Sequence, residues 1–152
     1  MRMNFVSVKV KCVEFATNCH ATEDVSKVKQ AMLNLVPECG RKKIEFKENA
    51  LKGHYGNPII RITFQVKGKE AEETLKYIAN KMDDISKRIL KTSLDLRIEA
   101  SKLYLRFSKQ EAYLGNIILE DSDDIIRVIV TFKGVKGKSK AIGEYLESIG
   151  MI

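Results

Sequence analysis

The 152-residue sequence has no Trp, only 2 Pro, 2 His and 3 Cys. Each scarcity excludes something. So few prolines rule out collagen-like and proline-rich linker architectures. Cys12, Cys19 and Cys39 are odd in number and form no CxxC pair, so they read as free thiols rather than a disulfide or zinc framework. His20 stands beside Cys19 with His54 far along the chain, a set too sparse and too badly spaced for a metal centre. No apolar run approaches the roughly 18 residues of a membrane span, and the start, Met1-Arg2-Met3-Asn4, leads into alternating Val and Lys rather than an apolar signal core. A cytoplasmic protein with no membrane contact is the expectation. GxSxG, P-loop, GxGxxG and HExxH patterns are absent, so no catalytic apparatus or cofactor is expected.

What is present is globular. The chain is 44% hydrophobic and 31% charged, with 27 Lys+Arg against 20 Asp+Glu and a net charge of +7. This length suits one domain, 1–152, which buries a core without a covalent staple. Residues 5–13 alternate, with Val6, Val8, Val10 and Cys12 facing one way and Ser7, Lys9 and Lys11 the other. That is a half-buried strand, continuing less regularly to about Cys19. Thr22 as N-cap, then Glu23 and Asp24, opens a helix of about four turns with Val25, Val28, Met32 and Leu35 inward. Pro37 and Gly40 stop it. Arg41-Lys42-Lys43 begins a short strand carrying Ile44 and Phe46, and residues 49–58 hold loop chemistry.

Ile60, Ile62, Phe64 and Val66 form a clear strand, with Arg61, Thr63, Gln65 and Lys67 opposite. The longest helix is expected from about Glu70 to Leu90, with Ala71, Leu75, Ile78, Ala79, Met82, Ile85 and Ile89 as its apolar stripe. Residues 91–101 alternate weakly and favour an edge strand. Leu103, Leu105 and Phe107 mark another strand, Ser108–Tyr113 a helical turn, and Ile117–Leu119 a short strand. Ile126, Val128, Val130 and Phe132 mark the last strand, and a final helix has Ile142, Tyr145, Leu146 and Ile149 inward. The order suits an α+β two-layer sandwich: a largely antiparallel sheet with two long helices and a C-terminal helix on one face.

These strand phases put Lys9, Lys11, Arg61, Lys67, Lys102, Arg106, Arg127 and Lys133 on the far face, with Tyr104 among them and Glu45 as the opposing acid. Basic side chains gathered on one face exchange counter-ions for nucleic-acid phosphates. Tyr104 offers a ring for an unpaired base. Ordinary solvation, protection of sheet edges, or a homodimer burying Ile125 and Ile129 would use the same residues. A second constellation is the loop Lys52-Gly53-His54-Tyr55-Gly56-Asn57-Pro58. Its glycines permit close backbone approach, and His54, Tyr55 and Asn57 are side chains that bind bases, sugars or phosphates; a strand-entry turn explains it equally. Asp121, Asp123 and Asp124 read as a turn before a metal site.

Four segments carry a family resemblance: HATED with Lys27-Val28 (residues 20–28), GHYGNPI (53–59), LYLRFSKQEAYLG (103–115) and SDDI (122–125). In order and spacing, over roughly residues 5–135, they resemble an archaeal family described as RNA-binding proteins and predicted exosome subunits. The resemblance implies a compact α+β fold of the double-stranded-RNA-binding or ribosomal-protein kind and no enzymatic activity. The implied role is in RNA processing or decay or on ribosomal RNA, with RNA, and exosome or other RNA-processing proteins, as partners. It adds Lys109, Gln110 and Tyr113 to the plausible RNA contacts.

Overall fold

The protein is described by a computed structural model over residues 8–52, 56–134 and 139–152. Its elements in chain order are β1 (Lys9–His20), α1 (Val25–Leu33), a 3-10 helix (Glu38–Lys43), β2 (Lys47–Lys52), β3 (Pro58–Lys67), α2 (Gly68–Lys81) and α3 (Asp84–Arg97). There follow β4 (Ile98–Glu99), β5 (Lys102–Ser108), α4 (Lys109–Tyr113), β6 (Ile125–Lys133) and α5 (Ser139–Ser148). The strands make one six-stranded sheet in the order β2-β3-β1-β6-β5-β4, with every pairing antiparallel. This is the expected α+β architecture.

Side chains alternate across each central strand, so one face collects the apolar rows. Val10, Val13 and Phe15 of β1, Ile62 and Phe64 of β3, Leu103, Leu105 and Phe107 of β5, and Ile126, Val128 and Val130 of β6 are buried. They share one core with Val28 and Met32 of α1, Leu75 and Ile78 of α2, Leu90 of α3, and Ile142 and Leu146 of α5. The expected strand phases of β3, β5 and β6 therefore hold. In β1 the pairing with β6 shifts register between Val10 and Cys12. This bulge at Lys11 reverses the phase that strict alternation implied. Cys12, expected inward, joins the outer row opposite Thr131 and Lys67, and Val13, Phe15, Thr17 and Cys19 turn inward.

Local boundaries moved where a cap outweighs apolar spacing. The N-cap of α1 is Asp24 rather than Thr22; its carboxylate accepts from the Ser26 amide at 2.9 Å. That helix ends at Leu33, and Leu35 and Val36 are buried from the turn that follows. The basic run Arg41–Lys43 belongs to the 3-10 helix, and β2 occupies residues assigned above to a loop. The expected helix from Glu70 to Leu90 is two helices. Asp83 interrupts it by accepting the Ser86 amide at 2.9 Å and capping α3. The interruption re-aims the stripe: Leu90 is fully buried, whereas Ile85 is 62% and Ile89 40% exposed. Helix α3 then runs through the supposed edge strand to Arg97, leaving only Ile98–Glu99 to pair with β5. Residue Gly56 at the entry to β3 has φ +76°, a conformation that glycine alone adopts cheaply.

Phe64 stacks on Phe15 with ring centroids 4.4 Å apart and meets the Phe46 ring edge-on at 5.3 Å. Phe64→Ala should cost about 3–5 kcal/mol in urea denaturation, through lost burial and a cavity. A second expectation concerns Asp83. Hydrogen bonds from Ser86, side chain first and backbone amide second, hold its carboxyl below the ordinary value of 3.8. A folded-state pKa below the unfolded one stabilises the fold above that ordinary value, and the contribution is lost as pH falls through the lowered one. Asp83→Ala should cost about 1 kcal/mol near neutral pH and remove this part of the acid sensitivity. Asp83→Asn should keep the cap and lose only the pH dependence. Thermal melts from pH 2 to pH 7 check both.

Candidate functional site

The helices cover one face of the sheet and leave the other to solvent. Strand pairing arranges the outer side chains in transverse rows. Lys102, Thr131, Cys12 and Lys67 form one; Tyr104, Ile129, Glu14 and Gln65 the next. Arg106, Arg127, Ala16, Thr63 and Lys47 form the third, and Asn18, Arg61 and Asn49 a shorter fourth. Lys9 and Lys133 pair at one end of the face. The basic residues expected on this face are thus brought together from four strands, while Lys11 sits exposed at the bulge.

The row through Arg127 has small side chains, Ala16 and Thr63, at its centre. A cleft of about 530 Å³ lies over Ala16 and Thr63, bordered by Lys43, Lys47, Arg61, Lys67 and Arg127. Glu45 lies at its wall as expected, but it is not the lone acid: Glu14, brought outward by the β1 bulge, stands beside it. A smaller pocket of about 150 Å³ adjoins this cleft, sharing Ala16, Arg61 and Arg127 and adding His20, Arg106 and Asp123. Lys43, Lys47, Ala16 and His20 were missing from the sequence-derived site. The pairing of β2 with β3 placed Lys47, and its signal was masked by the Asn and Gly residues around it.

Arg127 lies over the Tyr104 ring, 5.6 Å from guanidinium carbon to centroid. This cation–π contact presents the tyrosine and arginine as one unit. Arg106 donates to the Ser122 carbonyl at 2.6 Å, and Arg61 donates to Asn18 Oδ1 at 3.3 Å. These bonds orient the guanidiniums without neutralising them. Among the described residues, none of Arg61, Arg106 and Arg127 forms a salt bridge.

Lys109 has a different place from the exposed contact expected of it. It is buried, 5% exposed, and its Nζ donates to the Asn18 carbonyl at 2.7 Å and to Glu23 Oε1 at 3.1 Å. The same ammonium reaches Asp124 Oδ1 at 3.0 Å. A lysine so enclosed is an anchor, and it also lines the small pocket beside Arg61, Arg106 and Arg127. Gln110 binds Asp124 Oδ2 at 3.3 Å and lines a separate groove between α1 and α4, away from the basic rows. Tyr113, 44% exposed, lies in that groove beside Leu114, 70% exposed. Asn57 is exposed ahead of β3; His54 and Tyr55 lie outside the described residues. Of the Asp cluster, Asp124 serves Lys109, and Asp121 lies 3.8 Å from Arg97. Burial, reinforced by Glu23, pushes the Cys19 thiol up, so it stays protonated and unreactive.

A family model described as RNA binding matches residues 12–132. An uncharacterized protein of Methanocaldococcus jannaschii is 41% identical over 131 residues, 84% of this chain and 88% of that protein. An RNA-binding protein of Pyrococcus abyssi is 32% identical over 144 residues, 89% of this chain and 92% of that one. A solved DUF54 protein from Archaeoglobus fulgidus superposes with a TM-score of 0.76 at 28% identity, covering 93% of this chain and 99% of that one.

Removing the Lys109 ammonium leaves Glu23 and Asp124 facing each other without compensation. Lys109→Met should therefore destabilise by about 2–4 kcal/mol, in the lower part of the range for buried ion pairs because both carboxylates reach water. Urea denaturation measures it, and unchanged stability would show that the anchor is dispensable.

Proposed function

This chain belongs to the RNA-binding family whose model spans residues 12–132, and from that premise we propose that it binds RNA through the open face of its sheet without catalysing a reaction on it. One observation carries the assignment of the face: arginines and lysines from β2, β3, β5 and β6 border a continuous concave surface, and Arg61, Arg106 and Arg127 form no salt bridge among the described residues. Phosphates are the natural complement of such a surface. Each one seated releases condensed counter-ions, which supplies affinity without sequence preference. Lys9, Lys67, Lys102 and Lys133 extend the field toward the sheet ends, and Tyr104 with Arg127 offers a stacking platform to an unpaired base. The loop residues His54, Tyr55 and Asn57 complete the proposed contact set, together with Lys11; Gln110, in its separate groove, would be a contact only for RNA that wraps past the sheet edge.

The proposal extends to a cytoplasmic role in RNA processing or decay, with exosome or other RNA-processing proteins as partners, as the family resemblance suggests. Co-purification with exosome subunits from a native archaeal extract, before and after ribonuclease treatment, tests that extension. A second reading, a homodimerisation or protein-interaction module, draws on a different observation. Ile85, Ile89 and Leu96 are exposed along one side of α3, and Ile125 and Ile129 are half-buried on the sheet's outer face. Concentration-dependent mass in light scattering, with no RNA affinity, would favour it.

If about five phosphates are neutralised, the slope of log K against log salt should be roughly −4 to −5. Reversal of Lys9, Arg106 and Arg127 together to Glu should weaken binding alike for all sequences and flatten that slope. Tyr104→Ala should affect single-stranded more than fully paired RNA. Anisotropy titrations with labelled single- and double-stranded RNA at several salt concentrations provide the measurement. No binding to either at low salt would refute the reading.

A further inference from the structure

Arg106 and Arg127 are direct cross-strand partners on β5 and β6. Like charges opposite one another in a sheet destabilise it, yet no carboxylate pairs with either, nor with Arg61, among the described residues. Two acids near the rim of this face, Glu23 and Asp124, both bind the Lys109 ammonium. Ala16, the next residue in the row after Arg127, leaves open floor there. The result is the 150 Å³ pocket, in which three guanidiniums and the already paired Lys109 accompany a single carboxylate, Asp123. Each guanidinium is oriented by a neighbour and spends little of its donor set on it. Arg106 uses Ser122, Arg61 uses Asn18, and Arg127 rests on Tyr104. Most of their fork-shaped N–H donors remain for an anion of matching geometry.

The local charge excess suits a dianion better than a monoanion. An internal phosphodiester carries one negative charge and is flanked by sugar on both sides. A terminal phosphomonoester carries between about −1.5 and −2 at pH 7 and presents three free oxygens. We propose that this pocket seats the terminal phosphomonoester of an RNA strand, so that the protein recognises a phosphorylated chain end as well as the backbone. The inference rests on the RNA-binding reading above. Because the pocket shares Ala16, Arg61 and Arg127 with the larger cleft, a strand anchored by its end leads directly toward Lys47 and Lys67.

The test uses single-stranded RNAs of one sequence and about eight nucleotides, a length suited to a sheet-face site. One has hydroxyls at both ends, one a 5′-phosphate, one a 3′-phosphate. A strand one nucleotide longer with unmodified ends controls for added charge. Either the 5′- or the 3′-phosphorylated strand should bind about tenfold more tightly than both unmodified strands, the scale of one charge-assisted hydrogen bond. The preferred end identifies the strand's polarity. Arg106→Gln with Arg127→Gln should abolish the preference. Lys67→Gln should lower affinity for all strands and keep their ratio, and circular dichroism melts confirm that each variant is folded. A gain no larger than that of the longer strand, or one surviving the double substitution, overturns the inference while the RNA-binding reading stands. Failure of every strand to bind overturns both.

Discussion

The buried ammonium of Lys109 holds the rest of the architecture in register. It draws together the Asn18 carbonyl near the end of β1, Glu23 in the turn before α1, and Asp124 at the entry to β6. The first two are neighbours in the chain, the third lies about a hundred residues further on, and all meet at one rim of the sheet. Enclosing a charge is costly unless its partners are well placed, so the geometry of this rim is narrowly set. By engaging Glu23 and Asp124, Lys109 balances two acids at the rim, and no salt bridge reaches Arg61, Arg106 or Arg127 among the described residues.

The central strand β1 transmits this order across the sheet. It pairs with β3 on one side and β6 on the other, so a one-residue slip in its register would move every apolar side chain it carries to the wrong face. The bulge at Lys11 re-aims the strand once, bringing Val13 and Phe15 into the core and Ala16 to the middle of the outer face. Open floor in the cleft follows from that single inserted residue, because a small side chain then lies within the row that carries Arg106, Arg127 and Lys47.

Much of this was legible beforehand. Period-two alternation in Ile60–Val66, Leu103–Phe107 and Ile126–Phe132 identified both faces, since burial on one side leaves no other reading. The basic row followed from the same phase. The bulge was not legible, because Lys11 suits a solvent-facing strand position and a bulge alike. The break between α2 and α3 was hidden because Met82, Ile85 and Ile89 continue a helical spacing; Asp83 and Ser86 carried the stop signal, and a cap bond outweighs a stripe that has nothing to pack against. Lys109 was misplaced for a physical reason as well. A lysine on a short polar helix reads as solvent-exposed, and only tertiary proximity to Glu23 and Asp124 reveals it as an anchor. The α1–α4 groove with Tyr113 and Leu114 likewise arises from two segments meeting in space.

The strand order has a temporal consequence. The Thr17 hydroxyl bonds the Ile125 carbonyl, 108 positions away in the chain. The β2-β3 and β4-β5 pairings join neighbours and close cheaply, but β1 lies between β3 and β6 and must wait for the last strand. During synthesis β1 emerges first and its second partner nearly last. Until β6 is free, β1 presents an unpaired edge of Val, Phe and Thr to its surroundings, and a nascent chain carries both an open sheet edge and an unfinished basic face. The basic face is therefore complete only once β6 has paired with both β5 and β1.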